Sequence, residues 1–303
     1  MVSSESSSSS KSVFNNYSSN KYVSGAKEFL SSNSLVAKFV FLILILFLFI
    51  LAIRIGGTIL AYIFTPSKNP VLIGGMVDGT QSKQFSANPN DNNSVLIMRS
   101  ANKRSGMEYT WSTWIYVEDG AISDGYKHIF HKGNHNIVSE DSSSIGRAYV
   151  GTNAPNNGPG LYIQPNINNL EVIVSTFNNP KNSIVVEDIP LNKWINVILR
   201  LENNTFDVYI NGSIIRRHIF DSGNGGDVVF QNYGDVYANQ NGGFSGYQSD
   251  LRYFDHAIPI NHIQQIVSKG PNTTSITEDT TMAKPRYLST RWYFAGNEDG
   301  YNP

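Results

Sequence analysis

The sequence predicts an all-β antiparallel sandwich preceded by a single membrane-spanning helix. Three observations carry this. Residues 39–53 (FVFLILILFLFILAI) are consecutively apolar, and the run resumes after Arg54 as far as residue 64. From about residue 95, short β-type runs follow one another between turns rich in Asn and Gly. Beyond that point, helical spacing returns only near residues 261–270. At 303 residues the chain holds one β domain with appended segments, so a second domain is not required.

Residues 1–34 begin MVSSESSSSSKS and offer too little apolar surface to offset the entropy of ordering, so they are expected to form a disordered Ser/Asn-rich tail. Residues 35–64 follow as the transmembrane helix. A helix rising about 1.5 Å per residue from Lys38 crosses roughly 30 Å of hydrocarbon near Thr58. Arg54 then lies one turn inside that edge, where its side chain can snorkel. A cleaved signal peptide is the competing reading, but its apolar core is shorter and starts nearer the first residue, so an uncleaved signal-anchor is expected. Lys11, Lys21, Lys27 and Lys38 precede the apolar run, and Arg54, Lys68 and Lys83 follow, which predicts a cytosolic N-terminus. Residues 65–94, rich in Pro, Gly, Ser and Asn, read as a linker with a short strand at 71–73.

The sandwich is expected over 95–270. Tyr109, Trp111, Thr113, Ile115 and Val117 share one face of an extended segment, and Thr110, Ser112, Trp114 and Tyr116 the other. Further strands are expected at 127–131, 161–164, 170–177, 183–187, 194–201, 206–210, 214–220, 228–231 and 248–254. Asn203-Asn204 and Asn211-Gly212 are turn formers between β runs, the second of the type I′ kind, so 194–220 should be a three-stranded meander. Asn261 is the expected cap of a short helix carrying Ile263, Ile266 and Val267 on one face, with Gly270 as its stop.

The stretches LNKWINV (191–197), FDVYING (206–212) and GGFSGYQSDLRYF (242–254) resemble, in order and spacing, the signatures of concanavalin A-like lectin/glucanase domains of the laminin-G-like type. That resemblance implies a jelly-roll of two curved antiparallel sheets. It also implies that Phe244 and Tyr247, inside the strand motif, are core residues. The Ser-rich start, the anchor, the single lectin-like domain and the Asn-rich composition further resemble membrane proteins of large DNA virus particles.

Composition narrows the chemistry. Lys and Arg number 23 against 24 Asp and Glu, a formal charge of −1, which argues against nucleic acid as a partner. The chain contains no Cys, so disulfides, thiolate catalysis and Cys-ligated zinc are excluded. Glycanases of the superfamily carry an E-x-D-x-x-E-type strand, and none occurs here. Glu118-Asp119 and Glu187-Asp188 are adjacent and diverge, and Glu171 stands alone in an apolar strand. A noncatalytic protein is therefore expected.

His128 and His131, three apart in a strand, should face opposite sides unless the strand breaks. Asp207 and Asn211 are the nearest approach to a calcium set, but the segment reads better as a hairpin and no cofactor is expected. Sugars are recognised by aromatic faces and planar amides, which nominates Asn153, Asn156, Asn157, Tyr233 and Tyr237 in the loops 152–160 and 232–241. The same residue types also simply build turns. In the tail 271–303, Arg286, Tyr287, Arg291, Trp292, Tyr293 and Phe294 are of the kind found at interface hot spots, or else fold back on the sandwich. The expected partners are a lipid bilayer and proteins in an assembly, with glycans as the alternative.

Overall fold

The computed structural model describes residues 34–64, 67–88, 90–91, 94–103, 106–138, 150–153, 156–220, 227–229 and 234–276. The chain divides into two units, 1–65 and 66–303. In the first, α1 (Leu35–Phe64) is a continuous helix of 30 residues. Ser34 caps it, its hydroxyl accepting the Ala37 N–H at 3.1 Å. At about 1.5 Å per residue the helix is long enough to cross a bilayer. Its apolar side chains are exposed along almost its whole length, and the Thr58 hydroxyl donates to the Arg54 carbonyl.

The second unit is a sandwich of two antiparallel sheets. Its strands are β1 (Val71–Asp78), β2 (Lys83–Phe85), β3 (Ala101–Lys103), β4 (Gly106–Val117), β5 (Lys127–Gly133), β6 (Asn157–Ile163), β7 (Leu170–Val174), β8 (Asn182–Val186), β9 (Trp194–Glu202), β10 (Thr205–Ile210), β11 (Ser213–Ile219), β12 (Asp235–Ala238) and β13 (Gly246–Phe254). The first sheet runs β1-β13-β4-β9-β10-β11, with β3 beside the start of β4, and the second runs β2-β12-β5-β6-β7-β8. The inward set on β4 is the expected one: Tyr109, Trp111, Ile115 and Val117 are all core. The Trp111 ring lies 4.9 Å from Tyr253 of its own sheet and 5.4 Å from Phe130 of the other, joining the two layers.

The meander forms as expected. Ile210 pairs with Ser213, and both Asn211 and Gly212 have positive φ, which matches a type I′ turn. On the outer face of the first sheet, α2 (Ile260–Lys269) packs Ile263 and Ile266 against Ile198, Tyr209, Phe254 and Ile258. It stops at Gly270, φ 73°. Its cap position is Pro259, not Asn261, which sits in the first turn and accepts from the His262 N–H.

Two further expectations are corrected. The stretch 65–94 is not only linker: β1 is an edge strand of the first sheet that buries Leu72, Ile73 and Val77, and β2 is an edge strand of the second. Of the strand expected at 228–231, Val229 makes a single bridge, to Thr176. The loop 232–241 contains β12 instead. The start of the tail takes the fold-back alternative: Ser275 bridges Met76 of β1 in parallel.

Candidate functional site

Three of the predicted ligand residues, Asn153, Asn157 and Tyr237, meet on the outer face of the second sheet, and a β-bulge organises that face. The β5–β6 register shifts between His128 and Phe130 and again between His131 and Gly133. The adjacent Ile129 and Phe130 therefore both enter the core, and His128 and His131 emerge on the same side. This corrects the expectation that the two histidines diverge: their ring nitrogens are 2.7 Å apart.

Their hydrogen bonds define both tautomers. His131 Nε2 faces the Asn134 carbonyl at 2.8 Å and must donate, so His131 Nδ1 accepts from His128 Nε2–H. His128 Nδ1 in turn accepts the Gln240 backbone N–H at 2.9 Å. A proton added to either ring would set one donor against another. Burial, reinforced by the neighbouring ring, holds His128 well below the ordinary histidine range, and burial brings His131 down to about 4.

Neighbours close around this pair. Tyr237 of β12 stacks on His131 at 5.1 Å, and the exposed His135 meets Tyr237 edge-on at 5.2 Å. Tyr162 of β6 lies edge-on to His128, its hydroxyl donating to Asn157 Oδ1 at 2.7 Å and accepting from the Asn153 N–H. The Asn153 amide nitrogen reaches the carbonyls of Asn134, His135 and Asn136 and the Gln240 Oε1. Asn157 donates to the Asn153 carbonyl. Asn153, Asn157 and Tyr237 are thus brought together, but buried, with their polar atoms engaged in seating a loop on the sheet. Asn156 is half-buried beside them, and Tyr233 lies outside the described residues, as do Arg286, Tyr287, Arg291, Trp292, Tyr293 and Phe294.

The polar layer continues to β7 and β8. Glu171 accepts from Tyr126, Gln164 and Ser183 at 2.6–2.8 Å, and Lys181 stands 3.9 Å away. Burial alone would raise this carboxyl, but the donors Ser183, Gln164 and Tyr126 outweigh it and hold it below the ordinary range. A second acid on this face, Asp235 of β12, accepts from the Ala87 N–H and the Gln84 amide. Three strand spacings separate β12 from β7, about 14 Å. Glycosidic acid pairs stand about 5–9.5 Å apart.

The turn and strand chemistry beneath depends on Gly160, which pairs with His131 across the β5–β6 ladder. A Cβ there would lie 2.2 Å from Asn157 Oδ1 and 2.7 Å from the Tyr162 ring. Gly160→Ala should therefore cost about 1–3 kcal/mol through overpacking. A urea midpoint equal to that of the parent protein would show that the loop is not seated as described.

Asp207 and Asn211, the nearest approach to a calcium set, are each engaged by groups of the protein itself. The Arg217 fork engages both Asp207 oxygens, at 2.6 and 2.8 Å, and Asn211 Oδ1 accepts the Asn196 N–H. Phe244 is core as expected, but Tyr247 is 37% exposed on the outer face of the first sheet.

Fold and site together describe a β-sandwich with an apolar N-terminal helix and a closed polar face. No protein-family model matches the chain, and no curated protein matches it. Among solved structures it is similar to the botulinum neurotoxin serotype D ligand-binding domain in complex with N-acetylneuraminic acid. Identity is 15% and TM-score 0.44, over 66% of this chain and 46% of that one. It is likewise similar to the serotype G binding domain, 11% identical with TM-score 0.41, over 64% and 46%. The chain spans less than half the length of either domain, and at this overlap they lend it no ligand and no residue.

Proposed function

We propose that this chain is a noncatalytic, membrane-anchored, lectin-like protein serving assembly or adhesion, with a surface glycan receptor as the alternative. The observation that carries the reading is the state of the polar face. Its histidines, amides and Glu171 are matched to one another, which stiffens the sheet and, among the described residues of this face, leaves these groups committed to structure and not held ready for proton transfer or nucleophilic attack. Glu171 and Asp235 stand on strands about 14 Å apart across the sheet and are further offset along them, which supports the same conclusion for glycan hydrolysis. α1 supplies the anchor, and the lysine balance supports a cytosolic N-terminus. A particle-membrane setting is supported by composition and organisation alone.

Carbonate washing of membranes is the first test, and the full-length chain is expected to stay in the pellet. Release into the supernatant would remove the anchor from the proposal. Protease protection of the sandwich in the same membranes, with crosslinked neighbours identified, then separates the two readings. A protected domain crosslinked to partner proteins supports assembly, whereas an accessible domain that binds glycans supports the receptor.

A further inference from the structure

The first sheet carries on its outer face a line of three aromatic rings. Tyr247 of β13 pairs with Tyr116 of β4, which pairs with Trp194 of β9. Their ring centroids are 6.1 and 5.7 Å apart. The alternation of each strand accounts for their outward direction, since Ile115, Val117 and Ile195 beside them are core. Tyr247 is exposed, and Tyr116 and Trp194 are half-buried. On the same face, two residues beyond Trp194, Asn196 is fully buried and its Oδ1 has no hydrogen-bond partner. An unmatched buried acceptor is an uncommon expense in a folded domain.

Polar groups stand at the strand ends beside this line. The Ser245 hydroxyl donates to Glu118 Oε2, and the exposed Asn192 amide donates to Asp119 Oδ2 at 2.9 Å. Asn192 is anchored by its N–H on the Val117 carbonyl, and Glu118 by its N–H on the Ser245 carbonyl. The rim is therefore preorganised, with planar amide and carboxylate groups next to stacked rings. Lys68 and Pro70, where the chain enters the sandwich, bond to Asp255 and Tyr253 at the other end of β13, about 20 Å away.

We infer that this row is a binding site for a neutral oligosaccharide, a conclusion that rests on reading the sandwich as a recognition module. Pyranose C–H faces stack on the rings, while vicinal hydroxyls donate to Glu118 and Asp119 and accept from Asn192. The dimensions and charge favour a small, uncharged occupant. Three aromatic side chains cover about 150–250 Å² each when wholly buried. With much of that already inside the fold, the strip offers roughly 300 Å², well short of the roughly 800 Å² per partner of a stable protein interface. Two rim carboxylates, Glu118 and Asp119, outnumber the single cation of the exposed Lys193 beside Trp194, and the net negative rim opposes anionic lipid headgroups and sialylated or sulfated chains. The row also lies at the end of β13 opposite Tyr253 and Asp255, where the chain enters the sandwich.

The test uses the full chain in detergent micelles, applied to an array of neutral oligomannose and gluco-oligosaccharides with sialylated glycans alongside. Tyr247→Ala and Asn192→Gly, the latter keeping the positive φ of that residue, should weaken neutral-glycan binding about tenfold with unchanged thermal midpoints. Asp119→Asn should weaken it less. Trp194 fluorescence should shift on titration with the bound oligosaccharide. Binding that survives Tyr247→Ala but is lost in Tyr237→Ala would overturn the row while preserving a glycan receptor. An array with no neutral glycan bound would overturn it too, and would leave the assembly reading standing. Loss of binding to glycan-free phosphatidylcholine vesicles in Tyr247→Ala, with the array silent, would assign the row to lipid and overturn the inference.

Discussion

Acidification from pH 7 to pH 4 should remove about 3 kcal/mol of folding stability through His131 alone. The folded pKa is near 4 and the unfolded value 6.5. Between them the unfolded chain binds more protons than the folded one, so stability is complete above pH 6.5 and falls as pH drops toward 4. The physical origin is burial of the ring, which penalises its charged form and outweighs the hydrogen bond to the Asn134 carbonyl; in the chain from Gln240 N–H through both imidazoles, each ring nitrogen already has its role. His128, held lower still by burial and the adjacent ring, adds to the loss in the same direction. Glu171 adds a further loss below the ordinary carboxylate range. Urea midpoints of the full chain in detergent at pH 7, 6, 5 and 4 read this directly. His131→Gln should be less stable at pH 7 but show a visibly flatter pH dependence. An unaltered slope in that variant would mean that the pair does not carry the acid sensitivity.

That network shows where sequence reasoning reaches and where it stops. The meander was legible because Asn211-Gly212 has a local reason to turn and the flanking runs alternate cleanly. The bulge was not, because it shows only as two adjacent apolar residues, Ile129 and Phe130, between histidines. That break in the period of two was the available signal. Only the first three residues of β1, 71–73, were legible, and the glycines at 74 and 75 hid the rest. Gly75 is required because a Cβ there would lie 2.5 Å from the Thr274 carbonyl, where the returning chain passes the strand edge. β12 was obscured by flanking Asn and Asp, and its four residues are too short for periodicity to register. Tyr247 was placed in the core by family likeness, but its strand instead turns Gln248 inward, buried beside Ile115. Tertiary position overrode the ordinary preference of both residues.

Asp207→Ala should cost about 3 kcal/mol, as expected when one partner is removed from a buried charge cluster. Asp207 is fully buried, faces the Arg217 fork and has Arg200 at 3.6 Å. Arg200 is itself held by Glu202 at 2.6 Å and by the Ile258 carbonyl, which ties the meander to the segment leading into α2. Without the carboxylate, Arg217 returns to water, whereas Arg200 remains mostly covered beside a void. For a domain of this size that loss is worth roughly 6–12 °C in thermal midpoint. The double variant Asp207→Ala/Arg217→Ala should be hardly less stable than Asp207→Ala alone, because both changes remove one shared interaction. Calcium provides the contrast. An ion at Asp207 would have to displace a bidentate guanidinium, so millimolar calcium or EDTA should leave the parent midpoint where it is. A midpoint that rises with calcium and loses that response in Asp207→Ala would replace the ion-pair account with a metal site.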